Sequence, residues 1–189
     1  VWASPFTQRA FAWRQSHMDQ PQYVYPAVLL LQSVPNDKSG VLVTEDITTG
    51  ARNVVSVAVN EGVGGAVDGQ SAESLRINMD TGAVKVLATA TAPWKRLPSE
   101  NGGIVKLPAS GDWAVLQPDE IKQIIEFAKQ LPKRFPAITD DLGNSAPADV
   151  EFGFLDGKMH LFQLRPFLQS RAAQSNSYLV GMDKALDGQ

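Results

Sequence analysis

The stretch that decides the fold lies near the end of the chain, at residues 149–166, and reads DVEFGFLDGKMHLFQLRP. Polar and bulky apolar residues alternate on both sides of a central Asp-Gly, a pattern typical of a β-hairpin that buries one face. Because side chains two apart in a strand point the same way, Asp149 and Glu151 share one face, and Gln163 and Arg165 share one face of the second strand.

The register of this hairpin depends on its turn. A two-residue Asp-Gly loop would pair Glu151 with Phe162 and place the polar residues of the two strands on opposite faces. A three-residue loop, Leu155–Gly157, would pair Asp149 with Gln163 and give one dry face and one polar face. Because burial of the apolar face selects the register, we predict the three-residue loop, with its glycine in the left-handed conformation.

The predicted polar face collects two carboxylates, an amide and a guanidinium. Carboxylates hold hard cations such as Mg²⁺, and the fork of an arginine pairs with phosphate oxygens. The set is therefore suited to Mg²⁺ together with a polyphosphate. The alternative interpretation is an ordinary amphipathic hairpin whose charges are solvated.

The same residues resemble a motif of a known family. Asp-x-Glu, a Gly-containing turn and Gln-x-Arg-Pro resemble the end of the ATP-grasp domain in phosphoenolpyruvate synthase and pyruvate phosphate dikinase. Rifampicin phosphotransferase and the glucan water dikinases are similar relatives. The resemblance implies that Glu151 and Gln163 ligate Mg²⁺, that Arg165 contacts the phosphates of ATP, and that Asp149 is a further acidic member of the site.

A second block, near the start of the chain, resembles the same family in the right order. Residues 3–14 are similar to its helix of the form A-S-x-x-x-x-R-A-x-x-Y-R, and Ser39–Val41 matches its S-G-V turn. Residues 29–34 resemble its V-Q-x-M-V strand, which implies that Gln32 lies in the ATP pocket. From the residues alone, a buried amide needs a hydrogen-bond partner, and a neighbouring backbone group would serve as well as a nucleotide.

The chain also departs from the family pattern. The family often has G-x-G-E after the following hairpin, whereas residues 62–65 read GVGG and place Gly65 where the acid would stand. This departure implies either a changed affinity for the nucleotide or a domain that no longer turns ATP over. The chain opens on Val1 rather than Met, so we expect a fragment that lacks the N-terminal ATP-grasp lobe and the phosphohistidine domain implied by the resemblance.

Composition excludes several classes of protein. With 189 residues, 43% hydrophobic residues and a net charge of −3, the chain suits a globular fold and argues against disorder and against nucleic-acid binding by bulk charge. No apolar run approaches the ~20 residues needed to cross a bilayer. The absence of cysteine excludes disulfides and is compatible with a reducing compartment, so we expect a cytoplasmic protein without membrane partners.

The remaining pattern predicts an α+β lobe over residues 1–170 and a polar tail over 171–189. The predicted helices are 4–18 and one that starts at Pro118 and is stopped by Pro132; the predicted strands are 27–34, 40–44, 53–59, 75–78 and 83–88. Residues 92–112 are rich in Pro and Gly and predict an extended loop, and the Gly-rich residues 61–69 predict a flexible connection. His17 and His160 are interpreted as structural, with His160 on the apolar face of the hairpin.

The resulting prediction is the C-terminal part of an ATP-grasp domain, a mainly antiparallel sheet with helices packed on one side. The resemblance implies that it binds ATP and Mg²⁺ and helps to pass a phosphoryl group to a histidine on another domain, with Arg165 neutralising charge on the transferred group. The fragment alone would be inactive. Two alternatives stay open: a degenerate nucleotide-sensing domain without turnover, and a structural interaction domain.

Overall fold

The computed structural model describes residues 2–140 and 142–168, together with Ser177, Tyr178 and Gly181. Residues 1–34 and residues 35–189 form two compact units, and each is described by itself. The predicted polar tail lies almost entirely outside the described residues. No helix in the described part of the chain is long and apolar enough to cross a membrane.

The larger unit is built from antiparallel strands and one long helix. The strands are β1 (Lys38–Val43), β2 (Val54–Glu61), β3 (Glu73–Asn78), β4 (Val84–Ala88), β5 (Trp94–Pro98), β6 (Ile104–Pro108), β7 (Ala148–Leu155) and β8 (Lys158–Pro166), and the helix, α2, is Pro118–Arg134. Six strands form one sheet in the order β4-β3-β2-β1-β7-β8, and β5 and β6 form a separate two-stranded sheet. The predicted α+β class with a mainly antiparallel sheet is confirmed.

One face of the six-stranded sheet, the inner face, carries the core. Apolar side chains at alternating positions of four strands are almost fully buried there and pack with α2; they include Leu42, Val55, Val57, Val59, Leu75, Ile77, Val150, Phe152 and Phe154. The helix contributes Ile124, Ala128 and Leu131. Fully burying a large apolar side chain contributes roughly 1.5–3 kcal/mol, so this face dominates the stability of the unit. The opposite face, the outer face, mixes polar residues such as Ser56, Asp149 and Glu151 with Val41 and Val43.

Helix α2 is fixed at its start by a buried acid. The Glu120 carboxylate accepts a hydrogen bond from the Gln117 backbone N–H at 2.7 Å and pairs with the Lys38 ammonium at 2.6 Å. The helix continues through Pro132 to Arg134, so the prediction that this proline ends it is wrong. In the last turn a proline removes only one helical hydrogen bond, which the chain tolerates.

Two further predictions of local structure are wrong. The predicted loop at residues 92–112 contains the β5–β6 hairpin, whose prolines stand at strand ends, where a missing N–H is tolerated. The predicted strand at residues 27–34 is not formed, and its three leucines are 72–87% exposed. A strand requires a neighbour for its backbone groups, and the described part of the smaller unit holds no other strand.

The smaller unit contains one helix, α1 (Gln8–His17), after a 3₁₀ turn at Ser4–Phe6. The Thr7 side chain caps α1 by accepting a hydrogen bond from the Ala10 backbone N–H. The large apolar side chains of α1 are exposed within this unit, with Trp13 at 56%. The buried side chain of α1 is instead Arg14, which donates a hydrogen bond to the Pro5 carbonyl oxygen.

Candidate functional site

The site hairpin, β7–β8, turns through a two-residue loop. Asp156 and Gly157 have φ of 51° and 71°, and Leu155 pairs with Lys158. Positive φ at both central residues is typical of a type I′ turn, whose twist matches that of the flanking strands. The predicted three-residue turn is therefore wrong.

The polar residues nevertheless share one face, because a bulge replaces the longer turn. The register shifts between Glu151 and Phe152, which leaves Phe162 without a partner; Glu151 then lies opposite Gln163, and Asp149 lies opposite Arg165. An extra residue on one strand restores the alternation that the two-residue loop would otherwise break. The predicted grouping of these four side chains on one face is confirmed, although the predicted pairing of Asp149 with Gln163 is wrong.

The four side chains differ in what they contact. Asp149 Oδ2 accepts a hydrogen bond from Arg165 Nε at 2.7 Å, and this bond, together with the charges of Asp149 and Glu151, raises the pKa of the Arg165 guanidinium. The side chains of Glu151 and Gln163 make no hydrogen bond within the described residues. Glu151 is half-buried and Gln163 is exposed, so both side chains are open to a ligand.

The donor set suits a hard cation. Within the described residues, no group of three His, Cys, Asp or Glu side chains could hold a metal ion. A cation at this hairpin would therefore bind through the Glu151 carboxylate, the Gln163 amide oxygen and ligands that it brings itself. Mg²⁺ fits that description, because it commonly takes one or two carboxylates and keeps several waters or phosphate oxygens.

The glycine-rich residues 61–69 lie beside the outer face and are hydrogen-bonded to β1. Ser39 Oγ donates a hydrogen bond to the Gly62 carbonyl at 2.7 Å and accepts one from the Gly64 N–H at 2.9 Å. A Cβ at Gly65 would lie 2.7 Å from the Asn60 Cβ and 2.6 Å from Gln70 Oε1. The position at which the resemblance places an acid therefore has no room for one without repacking.

The structure places His160 on a different face of the hairpin from the predicted one, and it places Gln32 in the smaller unit. The two-residue loop pairs His160 with Gly153, which places His160 on the outer face with Glu151; the prediction of an apolar-face histidine is wrong. Gln32 is exposed in the smaller unit. Its place in the site stays a prediction.

Sequence reasoning missed Asn36 on this face. The Asn36 side chain fills the position that a Cβ on Gly153 would take, at 2.5–2.8 Å, and is itself 5% exposed. Asn36 Oδ1 has no hydrogen-bond partner within the described residues. Nothing in the local sequence distinguishes this asparagine from an ordinary turn residue, because the contact depends on a glycine more than a hundred positions away.

Comparison with known proteins places these observations in a family. Residues 1–184 match the family described as "Pyruvate phosphate dikinase, AMP/ATP-binding domain". Rifampicin phosphotransferase of Bacillus cereus is 29% identical over 171 residues, which cover 87% of the chain and 18% of that protein. Phosphoenolpyruvate synthase of Pyrococcus furiosus is 29% identical over 175 residues, which cover 87% of the chain and 21% of that protein. The chain thus spans about a fifth of the length of these relatives, and the resemblance predicted from the motifs is confirmed.

Proposed function

The chain belongs to the pyruvate phosphate dikinase AMP/ATP-binding domain family, and from this premise we propose that it is the Mg²⁺–ATP-binding half of an ATP-grasp phosphotransferase. The family makes ATP the expected ligand. The whole protein would transfer a phosphoryl group from ATP to a histidine on another domain, as the resemblance to phosphoenolpyruvate synthase and pyruvate phosphate dikinase implies. An N-terminal lobe would form the other wall of the ATP cleft.

The observation that carries this proposal is the pairing on the outer face of β7–β8. Glu151 and Gln163 lie directly opposite one another with free side-chain oxygens, and the Asp149–Arg165 ion pair is next to them. The first two residues would hold Mg²⁺, which would supply charge neutralisation at the phosphates. Phosphoryl transfer depends mainly on positioning and on neutralising charge, so this set could form one wall of a transfer site.

Arg165 would act on the phosphates while Asp149 positions it. Its Nε is held by Asp149, yet its side chain is 55% exposed, which leaves other guanidinium N–H groups available to phosphate oxygens. Gln32 would line the nucleotide pocket. The 189-residue chain would bind Mg²⁺–ATP without turnover, since neither of its two histidines lies in the setting of a phosphocarrier.

The test is a titration of the 189-residue chain with ATP in the presence of Mg²⁺, followed by NMR so that millimolar affinities are detected. Glu151→Gln and Arg165→Ala should each weaken binding by roughly 10- to 100-fold, the equivalent of one charge-assisted contact. Glu126→Gln and Arg134→Ala change the same charges on α2 and should bind as the unaltered chain does. A chain that shows no saturable shifts, or variants that bind as tightly as their controls, would refute the site.

A second function is favoured by the packing at Gly65. Asn60 and Gln70 occupy the space in which an acid would stand, so the site holds one negative charge fewer than the family pattern implies. Such a domain would sense ATP without turning it over. A whole protein that binds Mg²⁺–ATP through Glu151 and Arg165 but forms neither AMP nor phosphate would support this second function over the first.

A further inference from the structure

A cavity of about 280 Å³ lies where the end of β2 meets the base of the β5–β6 hairpin. The polar and aromatic side chains that line it come from three separate segments: Asn60, Glu61, Thr91, Trp94 and Asp112. None of the described residues that line it is Lys, Arg or His. The lining is therefore rich in hydrogen-bond acceptors and negative charge, and it includes none of the four residues proposed to hold Mg²⁺ and the phosphates of ATP.

One acceptor in this lining is buried and unused. Asn60 is 2% exposed; its Nδ2 donates a hydrogen bond to the Ser71 carbonyl at 2.8 Å, which fixes the orientation of the amide. Its Oδ1 has no hydrogen-bond partner in the described part of the chain. A buried acceptor without a donor costs free energy, so a ligand that brings an N–H group would relieve that cost.

The two carboxylates of the cavity play different parts. Glu61 is already satisfied, because it accepts hydrogen bonds from the Ser110 N–H and hydroxyl and from the Lys95 ammonium. Burial acts to raise the pKa of Glu61, but these hydrogen bonds outweigh it and hold the pKa below its usual value. Asp112 is exposed and makes no salt bridge within the described residues, so its charge is available.

The remaining wall suits the body of a cation. Trp94 is 52% exposed, and an indole face attracts cations more strongly than any other aromatic side chain. The alanine and proline residues beside it offer an apolar surface. A cavity of about 280 Å³ is many times larger than a single water molecule needs, so it has room for an ion of several non-hydrogen atoms.

We propose that this cavity binds a small primary ammonium ion with a short apolar chain. The ammonium group donates hydrogen bonds to Asn60 Oδ1 and to the Asp112 carboxylate, and the chain lies against Trp94. Small shifts of the lining bring the ammonium to Asn60, whose oxygen is covered in the structure. Anions are disfavoured by the Asp112 carboxylate, and neutral molecules of the same size gain no charge pairing with it.

The experiment is a titration of the 189-residue chain with n-butylammonium chloride, followed by NMR at the Trp94 indole N–H and the Asn60 side-chain amide. Saturable shifts at both groups are expected, weakening as NaCl is raised, since salt screens an exposed charge pair. Sodium butyrate and 1-butanol should give no saturable shift. A titration with potassium chloride tests whether an inorganic cation binds in the same way. If potassium gave the same shifts as butylammonium with the same affinity, the proposal for an organic ammonium ion would be overturned.

Two substitutions complete the test. Asp112→Asn should weaken butylammonium binding about two- to fivefold, the effect expected of an exposed charge pair, and should not affect folding because this side chain is exposed. Glu100→Gln removes an exposed acid from the same hairpin, outside the cavity, and should bind as the unaltered chain does. Asn60→Ala should also weaken butylammonium binding. If Asn60→Ala does not fold, Asp112→Asn still tests the proposal. Unchanged affinity in Asp112→Asn, or no saturable shift at Trp94, overturns the proposal.

Discussion

The two hairpins β5–β6 and β7–β8 are built from the same antiparallel pairing but are held in place by different interactions. Strand β7 is paired on both sides and buries Val150, Phe152 and Phe154 in the core. Strand β6 is exposed along its whole length, and its hairpin is anchored through polar contacts at its base, such as the Glu61–Lys95 ion pair. A hairpin can therefore be fixed by apolar burial along its length or by a few contacts at one end, and the two modes should respond differently to substitution.

The largest effect is expected from truncation in the buried hairpin. Phe152 is 0% exposed and packs edge-to-face on Phe154 at 5.8 Å between ring centroids, so Phe152→Ala should lower the free energy of unfolding by about 3–5 kcal/mol. Ile104→Ala truncates a side chain on β6 that is 61% exposed, and it should change the free energy of unfolding by no more than about 0.5 kcal/mol. Urea unfolding measures both. Equal losses would show that β6 is packed as tightly as β7.

The first mode of attachment is visible in the sequence. Alternation of apolar and polar residues predicted β7 and β8, and local patterns also predicted the helix that starts at Pro118 and the strands at 75–78 and 83–88, which are α2, β3 and β4. The grouping of Asp149, Glu151, Gln163 and Arg165 followed from the same alternation. This grouping is correct although the predicted turn is wrong. Burial of the apolar face determines the register, whether a longer turn or a bulge produces it.

The second mode is not visible in the sequence. Ser110 bonds to Glu61 across 49 positions, and no local pattern marks either residue as an anchor. The bulge at Phe162 adds one residue to a strand without leaving a glycine or proline as a signal. The apolar residues 29–31 show the converse: a strand-like run forms no strand in a unit whose described part offers no neighbour to pair with.

The anchoring of the β5–β6 hairpin can be tested at Gly62. A Cβ at Gly62 would lie 2.2 Å from the Arg96 carbonyl oxygen, and its φ of 75° disfavours any side chain; Gly82 has φ of 72° but nothing within 4 Å. Gly82→Ala should cost about 1–2 kcal/mol for the backbone conformation alone. Gly62→Ala should cost about 1 kcal/mol more, within the range seen for strained sites, because the β5 backbone must also move.

The two glycine variants also differ in where they should act. The Val63 N–H donates a hydrogen bond to the Arg96 carbonyl at 2.8 Å. Gly62→Ala should therefore speed hydrogen exchange at Val63 beyond what the loss of global stability explains, whereas Gly82→Ala should not. Equal free energies of unfolding and equal exchange in both variants would show that the close approach at Gly62 does not hold the hairpin.

The smallest effect is expected from the charge at the base of the same hairpin. The pKa of Glu61 is held below its usual 4.5 in the folded chain, so the carboxylate stabilises the fold above pH 4.5 and loses that contribution as the pH falls through its folded pKa. Glu61→Gln should therefore cost about 1 kcal/mol at pH 7, a modest value because water screens the pair with Lys95. Urea unfolding at intervals from pH 7 to pH 3 should show the two free energies converging below pH 4.5, with Glu100→Gln following the unaltered chain throughout. A gap that does not narrow at all as the pH falls from 4.5 to 3 would mean that Glu61 holds the hairpin through packing rather than through its charge, and the two hairpins would then differ less than their exposure implies.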